Sequence, residues 1–282
     1  MENVIQVLAN LATLIFVISS MLALGLSLTI QQILDPLKDV NLVARALLAN
    51  FVLVPLLAFL LKTVIPLDAS LGIGLMLLAT AAGAPFLPKL AQAAKADVAF
   101  SVGLMVLLMV VTVVYVPVVL PLLLPGVSVN PLDIARSLII LMLMPLAIGL
   151  VVKARYEDIA ASLQPSMAQA SSLSLLAVFV LMLVLNFETM IGAIGSGAII
   201  TAIVFILISL AIAYGLGPSS TTRPVLGLGT AQRNIAAAMV VATGNFSDDP
   251  NVLTMILVGA LLMLVILMPI AGEMGKQTLA PR

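Results

Sequence analysis

Apolar runs of about twenty residues recur along almost the whole chain, and they dictate what it can fold into. Nine can be marked: 4–29, 41–62, 66–95, 97–124, 132–153, 171–191, 196–217, 221–246 and 251–273. Inside hydrocarbon every backbone amide and carbonyl must be satisfied by the protein itself, so these runs are expected to cross a bilayer as α-helices. Of the 282 residues 63% are hydrophobic and 9% charged, and the mean hydropathy is +1.30. A water-soluble domain of this length has no interior large enough for so much apolar surface. The linkers carry turn and breaker residues, among them Asp35-Pro36, Pro125-Gly126 with Asn130-Pro131, Gly192 to Gly197, and Ser247-Asp248-Asp249-Pro250. No linker is long enough for a separate soluble domain, so residues 1–282 read as one transmembrane domain. The first run exceeds a signal-peptide core and has no basic residue ahead of it, so it is expected to remain in the membrane.

Net charge is zero, which offers nucleic acid no electrostatic footing. The chain has no Cys and no His, so thiol nucleophiles, imidazole relays and Cys or His metal sites are excluded. No carboxylate falls deep in a span either, which makes an intramembrane enzyme the least favoured class. The remaining Lys and Arg set the orientation. With the N-terminus outside, Lys38, Arg45, Lys95, Lys153, Arg155, Arg223, Lys276 and Arg282 are cytoplasmic, and only Lys62 and Arg136 are outside. The asymmetry survives only if 66–95 and 221–246 each cross once. The expectation is a multi-pass protein of the cell (inner) membrane with a cytoplasmic C-terminus, embedded as a monomer or homodimer.

Those two segments are also the ones with interrupted patterns. In 66–95 the stretch Gly83-Ala84-Pro85-Phe86-Leu87-Pro88-Lys89 breaks the run. Proline removes an amide donor and clashes with the preceding turn, so the helix is expected to stop there, with Pro88 suited to the start of a second half-helix. In 221–246 the break is Gly229-Thr230-Ala231-Gln232-Arg233-Asn234, flanked by Leu226 and Leu228 on one side and the apolar run Ile235 to Val241 on the other. An Arg at the centre of a membrane helix costs ~2.5–3.5 kcal/mol on insertion scales, which makes Arg233 a functional-site candidate by default. Segments 41–62, 66–95 and 97–124 recur in the same order as 196–217, 221–246 and 251–273. An odd number of crossings separates each pair, which is the pattern of an inverted repeat with its binding site at the paired breaks.

A broken helix presents unpaired amides, and hence partial positive charge, at the start of its second half. A cation stands beside each break, Lys89 in one and Arg233 in the other. Together these features suit an anion. The alternative is that Lys89 or Arg233 ties the two segments together by bonding the loose carbonyls of the first half-helices. Asn50, Ser101, Thr112 and Thr201 are further polar positions within spans.

At these residues the sequence resembles the bile acid:sodium symporter family. The likeness runs through Ala49-Asn50-Phe51, Pro55 to Phe59, Ala94 to Leu104, Pro145 to Leu150 and the 229–234 break. It implies nine helices, two of them discontinuous and crossing, with a core of 41–124 and 196–273 and a panel of 4–29, 132–153 and 171–191. The departures from the family pattern bear on the ion. Sodium-coupled members have a Glu and, four residues on, a Gln where this chain has Gly229 and Arg233. A Thr-x-Ser-Asn run is replaced by Pro85, Phe86, Leu87 and Pro88, and a Thr in the following helix by Met105. The expected protein is therefore an all-α secondary transporter of a small organic anion, working by alternating access with no cofactor and without sodium. Arg233, Asn234, Thr230, Lys89, Asn50 and Pro85 would line the site, and Lys89 would be the group to couple a proton. The rivals are a sodium symporter whose ion site is rebuilt from Asn50, Ser101, Gln232 and backbone carbonyls, and a membrane receptor that binds without transporting.

Overall fold

The computed structural model describes residues 2–124, 130–185 and 195–277, and among these it is helical with no strand. The Pro125-Gly126 turn, Glu188, Gly192, Arg282 and the end of the expected 171–191 span lie outside the described residues. In chain order the helices are α1 (Glu2–Ser27), the short α2 (Ile30–Leu34), α3 (Val40–Val64), α4 (Ala69–Thr80), α5 (Leu87–Ala93), α6 (Val98–Leu123), α7 (Pro131–Arg155), α8 (Glu157–Leu185), α9 (Ala198–Leu216), α10 (Thr222–Ala231), α11 (Ile235–Asn245) and α12 (Pro250–Gln277). Seven stretches among the described residues are long and apolar enough to cross a membrane: α1 from Val7, α3, α6, α7, α9, Thr222–Asn245 and α12. Segment 66–95 contributes instead the shorter apolar α4 and the seven-residue α5. Helix α8 begins at Glu157, well before the expected 171. Hydropathy marks the apolar part of a helix, and the Ser- and Gln-containing stretch ahead of it continues the same helix through Pro165.

In each of the two segments one helix ends and another begins after a short gap. Helix α4 ends at Thr80, the chain runs unwound through Ala81–Ala84, and α5 starts at Leu87 with Pro88 in its first turn. The second break is narrower than the expected 229–234 stretch: Gly229 and Thr230 belong to the last turn of α10, and only Gln232–Asn234 lie between the helices. Gly229 serves close packing, since a Cβ there would stand 2.8 Å from the Leu87 side chain. Gly83 is different. It has φ +82, and a Cβ would run into the Met109 amide and the Met105 carbonyl of α6, so this position needs both the left-handed backbone and the absent side chain.

Of the helices that carry a proline without breaking, two do so with a wider turn. In α3 a π-helical turn, Ala49–Leu53, precedes Pro55, and in α7 a matching turn, Ile139–Leu143, precedes Pro145. The wider turn takes up locally the i→i−4 bond that each proline loses.

Helix α1 packs along α7 and α8. Gly25 and Gly149 meet so closely that a Cβ on either would lie within 2.9 Å of the other's Cα, the small-residue approach typical of membrane helix pairs. The other helices form a second group. Within it α3 packs on α4, α5 on α6 and α4 on α6, and the same arrangement returns as α9 on α10, α11 on α12 and α10 on α12. The halves interlock: α4 lies on α12 and α11, while α10 lies on α6 and α5. The most apolar window of Thr222–Asn245 is 94% buried, against 28% to 50% for the other six spans. This interrupted pair is therefore the inside of the molecule, and the rest screens it.

Replacing Gly83 by Ala is expected to cost at least the ~1–2 kcal/mol of a left-handed alanine, lowering the thermal midpoint of the detergent-solubilised protein by several degrees. Gly72→Ala, where the nearest atom to a Cβ is 3.9 Å away, should leave the midpoint unchanged. Equal midpoints for the two variants would show that Gly83 is not required.

Candidate functional site

The two breaks touch. The amide of Asn234 donates to the Ala81 carbonyl at 2.9 Å, and its side-chain Nδ2 donates to the Gly83 carbonyl at 2.9 Å. Its Oδ1 meanwhile accepts from the Ala237 amide, capping the start of α11. One Asn thus starts a helix and ties it to the opposite break. On the far side Thr112 of α6 both accepts from the Ala82 amide at 3.0 Å and donates to the Ala82 carbonyl at 3.1 Å. An unwound segment at membrane depth keeps its backbone paired by these means.

Arg233 sits at the centre, 0% exposed. Its Nε donates to the Leu78 carbonyl at 3.0 Å, Nη2 to the Ala79 carbonyl at 2.7 Å, and Nη1 to the Thr230 carbonyl at 3.0 Å and to Asn50 Oδ1 at 2.7 Å. Leu78 and Ala79 are in the last turn of α4, and Thr230 is in the last turn of α10. Carbonyls at helix C-termini lack intrahelical donors and carry roughly half a negative charge per helix. Two such ends converge on one fixed positive charge. Among the described residues no carboxylate pairs with it.

Asn50 is held by the π turn of α3 and is likewise fully buried. Its Nδ2 donates to the Ala46 carbonyl and to Thr230 Oγ1, both at 2.9 Å. Pro55 cannot donate to the Phe51 carbonyl as the i+4 residue of a helix normally would. The Tyr115 hydroxyl does so instead, at 2.6 Å, with the two rings 4.8 Å apart. Tyr115 therefore secures the turn that aims Asn50 at Arg233.

Of the expected site residues, the structure brings together Arg233, Asn234, Thr230 and Asn50. Pro85 is half-buried at the turn between α4 and α5. Lys89 does not join them. On α5 the buried side is Leu87, Leu90 and Ala91, and Lys89 points away from it, exposed, with Nζ 5.6 Å from the Phe86 ring centroid. The two-cation site expected from the sequence is corrected to one cation, because a single helical turn places Lys89 opposite the packed face. The three oxygens of the sodium alternative are not gathered either. Asn50 Oδ1 is taken by Arg233, Ser101 Oγ donates to the Val98 carbonyl of its own helix at 2.6 Å, and Gln232 Oε1 is buried without a partner. Tyr115 was missed by the sequence reading, although its signal was present: a proline in a span orphans the carbonyl four residues earlier. Thr112 was noticed only as one of several polar positions.

The family model of the Sodium Bile acid symporter family matches residues 14–193. The chain belongs to that family. The match spans α1 to α8 and stops before α9, so the break that holds Arg233 lies beyond it. No curated protein matches the chain. Membership with these apolar helices makes it a multi-pass membrane protein of a transporter family.

Tyr115→Phe keeps the ring contact and leaves the Phe51 carbonyl unpaired. The expected loss is ~1–3 kcal/mol of stability, read as a lower thermal midpoint than wild type. An unchanged midpoint would mean that Phe51 is satisfied without the phenol.

Proposed function

We propose that the protein is a secondary transporter of a small organic anion that works by alternating access without sodium, Arg233 holding the place of the coupling cation. The observation that carries this reading is the buried guanidinium on Leu78, Ala79 and Thr230 carbonyls, with no carboxylate paired to it among the described residues. Converging carbonyls at helix C-termini are what unwound transporter helices offer an alkali ion. Here a covalently attached cation takes them, in the position where sodium-coupled members carry a ligand. Arg remains protonated where Lys would not, so the charge is permanent. Being only partly balanced by dipoles, it favours an anion near the start of α11. Its four side-chain bonds make it an electrostatic and structural centre rather than a clamp on the cargo, which narrows the role expected of it from the sequence. In this reading α3–α6 and α9–α12 are the two inverted halves of a core (41–124 and 196–273), crossing at Ala81–Pro85 and Gln232–Asn234 near mid-membrane. Helices α1, α7 and α8 (4–29, 132–153 and 171–191) are the panel against which the core moves. The N-terminus is outside in a cell (inner) membrane.

The family's own description as sodium symporters favours the rival in which sodium is coupled at a rebuilt site. Uptake of radiolabelled carboxylates into proteoliposomes separates the two. Accumulation down an imposed anion gradient should proceed equally in sodium and in choline media, and a strict sodium requirement would overturn the proposal. Asn50→Asp provides a test of charge. It sets a carboxylate on the guanidinium in place of an amide of the same size, at the loss of the two bonds that Nδ2 donates to Ala46 and Thr230, so uptake per folded molecule should fall at least about tenfold. Undiminished uptake would remove the Arg233 charge from anion selection.

A further inference from the structure

Almost every polar side-chain atom where the two breaks meet is committed to the protein. Asn50 uses its oxygen on Arg233 and its nitrogen on Ala46 and Thr230. Asn234 uses its oxygen on Ala237 and its nitrogen on Gly83. Thr112 exchanges two bonds with Ala82. Arg233 has four of its five N–H donors engaged.

Gln232 stands apart. The residue is 8% exposed, and its Oε1 is buried with no hydrogen-bond partner among the described residues. Its backbone is fixed, the amide donating to the Leu228 carbonyl at 2.9 Å, so the side chain is not recruited to hold the hinge. A buried acceptor left unpaired costs ~1–3 kcal/mol, and an apolar residue of the same shape would avoid that cost. Gln232 is also the first residue beyond α10, in the break between α10 and α11 and one position before Arg233 in the chain.

We propose that Gln232 is the specificity-determining residue of the transport site, its Oε1 accepting a hydrogen bond from a hydroxyl or amide N–H carried by the transported anion. This rests on the anion reading above and narrows it to anions that bear a neutral donor. A lone oxygen does not make a sodium site, because an alkali ion needs several oxygens, and those of Asn50, Leu78, Ala79 and Thr230 already face Arg233. An ammonium donor would bring a further buried positive charge into a centre where, among the described residues, no carboxylate balances Arg233, which leaves a neutral donor as the partner. The selectivity follows from burial. An anion lacking the donor leaves Oε1 unpaired in a water-poor site, and sites with a committed hydrogen-bonding group reject such analogues far more strongly than apolar pockets reject a missing methylene.

The test uses the full-length protein in proteoliposomes with two matched pairs of probes, lactate against propionate and mandelate against phenylacetate. In wild type the hydroxyl-bearing member of each pair should be taken up at least about tenfold better. In Gln232→Met that preference should collapse, with a thermal midpoint no lower than wild type because no bond has been removed from the protein. Wild type treating the members of each pair alike, or Gln232→Met keeping the preference, would overturn the assignment of Gln232 while leaving the anion reading intact. Failure of all four acids to move would overturn both.

Discussion

The structure turns on one buried charge. Placing a guanidinium inside a membrane protein is unfavourable unless its donors are satisfied, and Arg233 is satisfied by the one kind of group that interrupted helices leave over. Breaking α4 away from α5 and α10 away from α11 exposes C-terminal carbonyls, and the side chain collects them from both helices at once. The cation stabilises the two breaks, and the breaks make the cation tolerable. Each lowers the cost of the other, since a helix end buried without partners and a charge buried without partners are both unfavourable.

The supports of that contact are a sequence of local solutions to missing donors. Pro55 frees the Phe51 carbonyl, the π turn widens α3 around it, and Tyr115 supplies the lost hydrogen bond. The widened turn presents Asn50, which meets Arg233 with its oxygen and Thr230 with its nitrogen. Gly83, at positive φ against the backbone of α6, lets the first break approach closely enough for Thr112 to pair with Ala82. Asn234 then joins the second break to the first. The arrangement leaves little slack.

The all-helical membrane fold and the buried Arg were legible because each has a one-dimensional signature, an apolar run and a charge with apolar neighbours on both sides; of nine expected spans, seven among the described residues are long and apolar enough to cross. The sequence did not reveal direction around a helix axis over short distances. Lys89 follows Pro88 in a break and reads like Arg233, yet one turn of α5 sends it to the surface. The width of the second break was also overestimated. Gly229 and Thr230 look like hinge residues, but packing against Leu87 keeps them helical, an override of local propensity by tertiary contact. The acceptors of Arg233's hydrogen bonds come from residues up to 183 positions away, and no pattern along the chain pairs Asn50 with Arg233.

If a tethered cation has replaced a mobile one, the purified protein should have no affinity for the ion itself. Equilibrium binding of radioactive sodium to wild-type protein in detergent is the direct measurement. No saturable binding is expected while Arg233 is present. Saturable, stoichiometric sodium binding with the guanidinium in place would contradict the account.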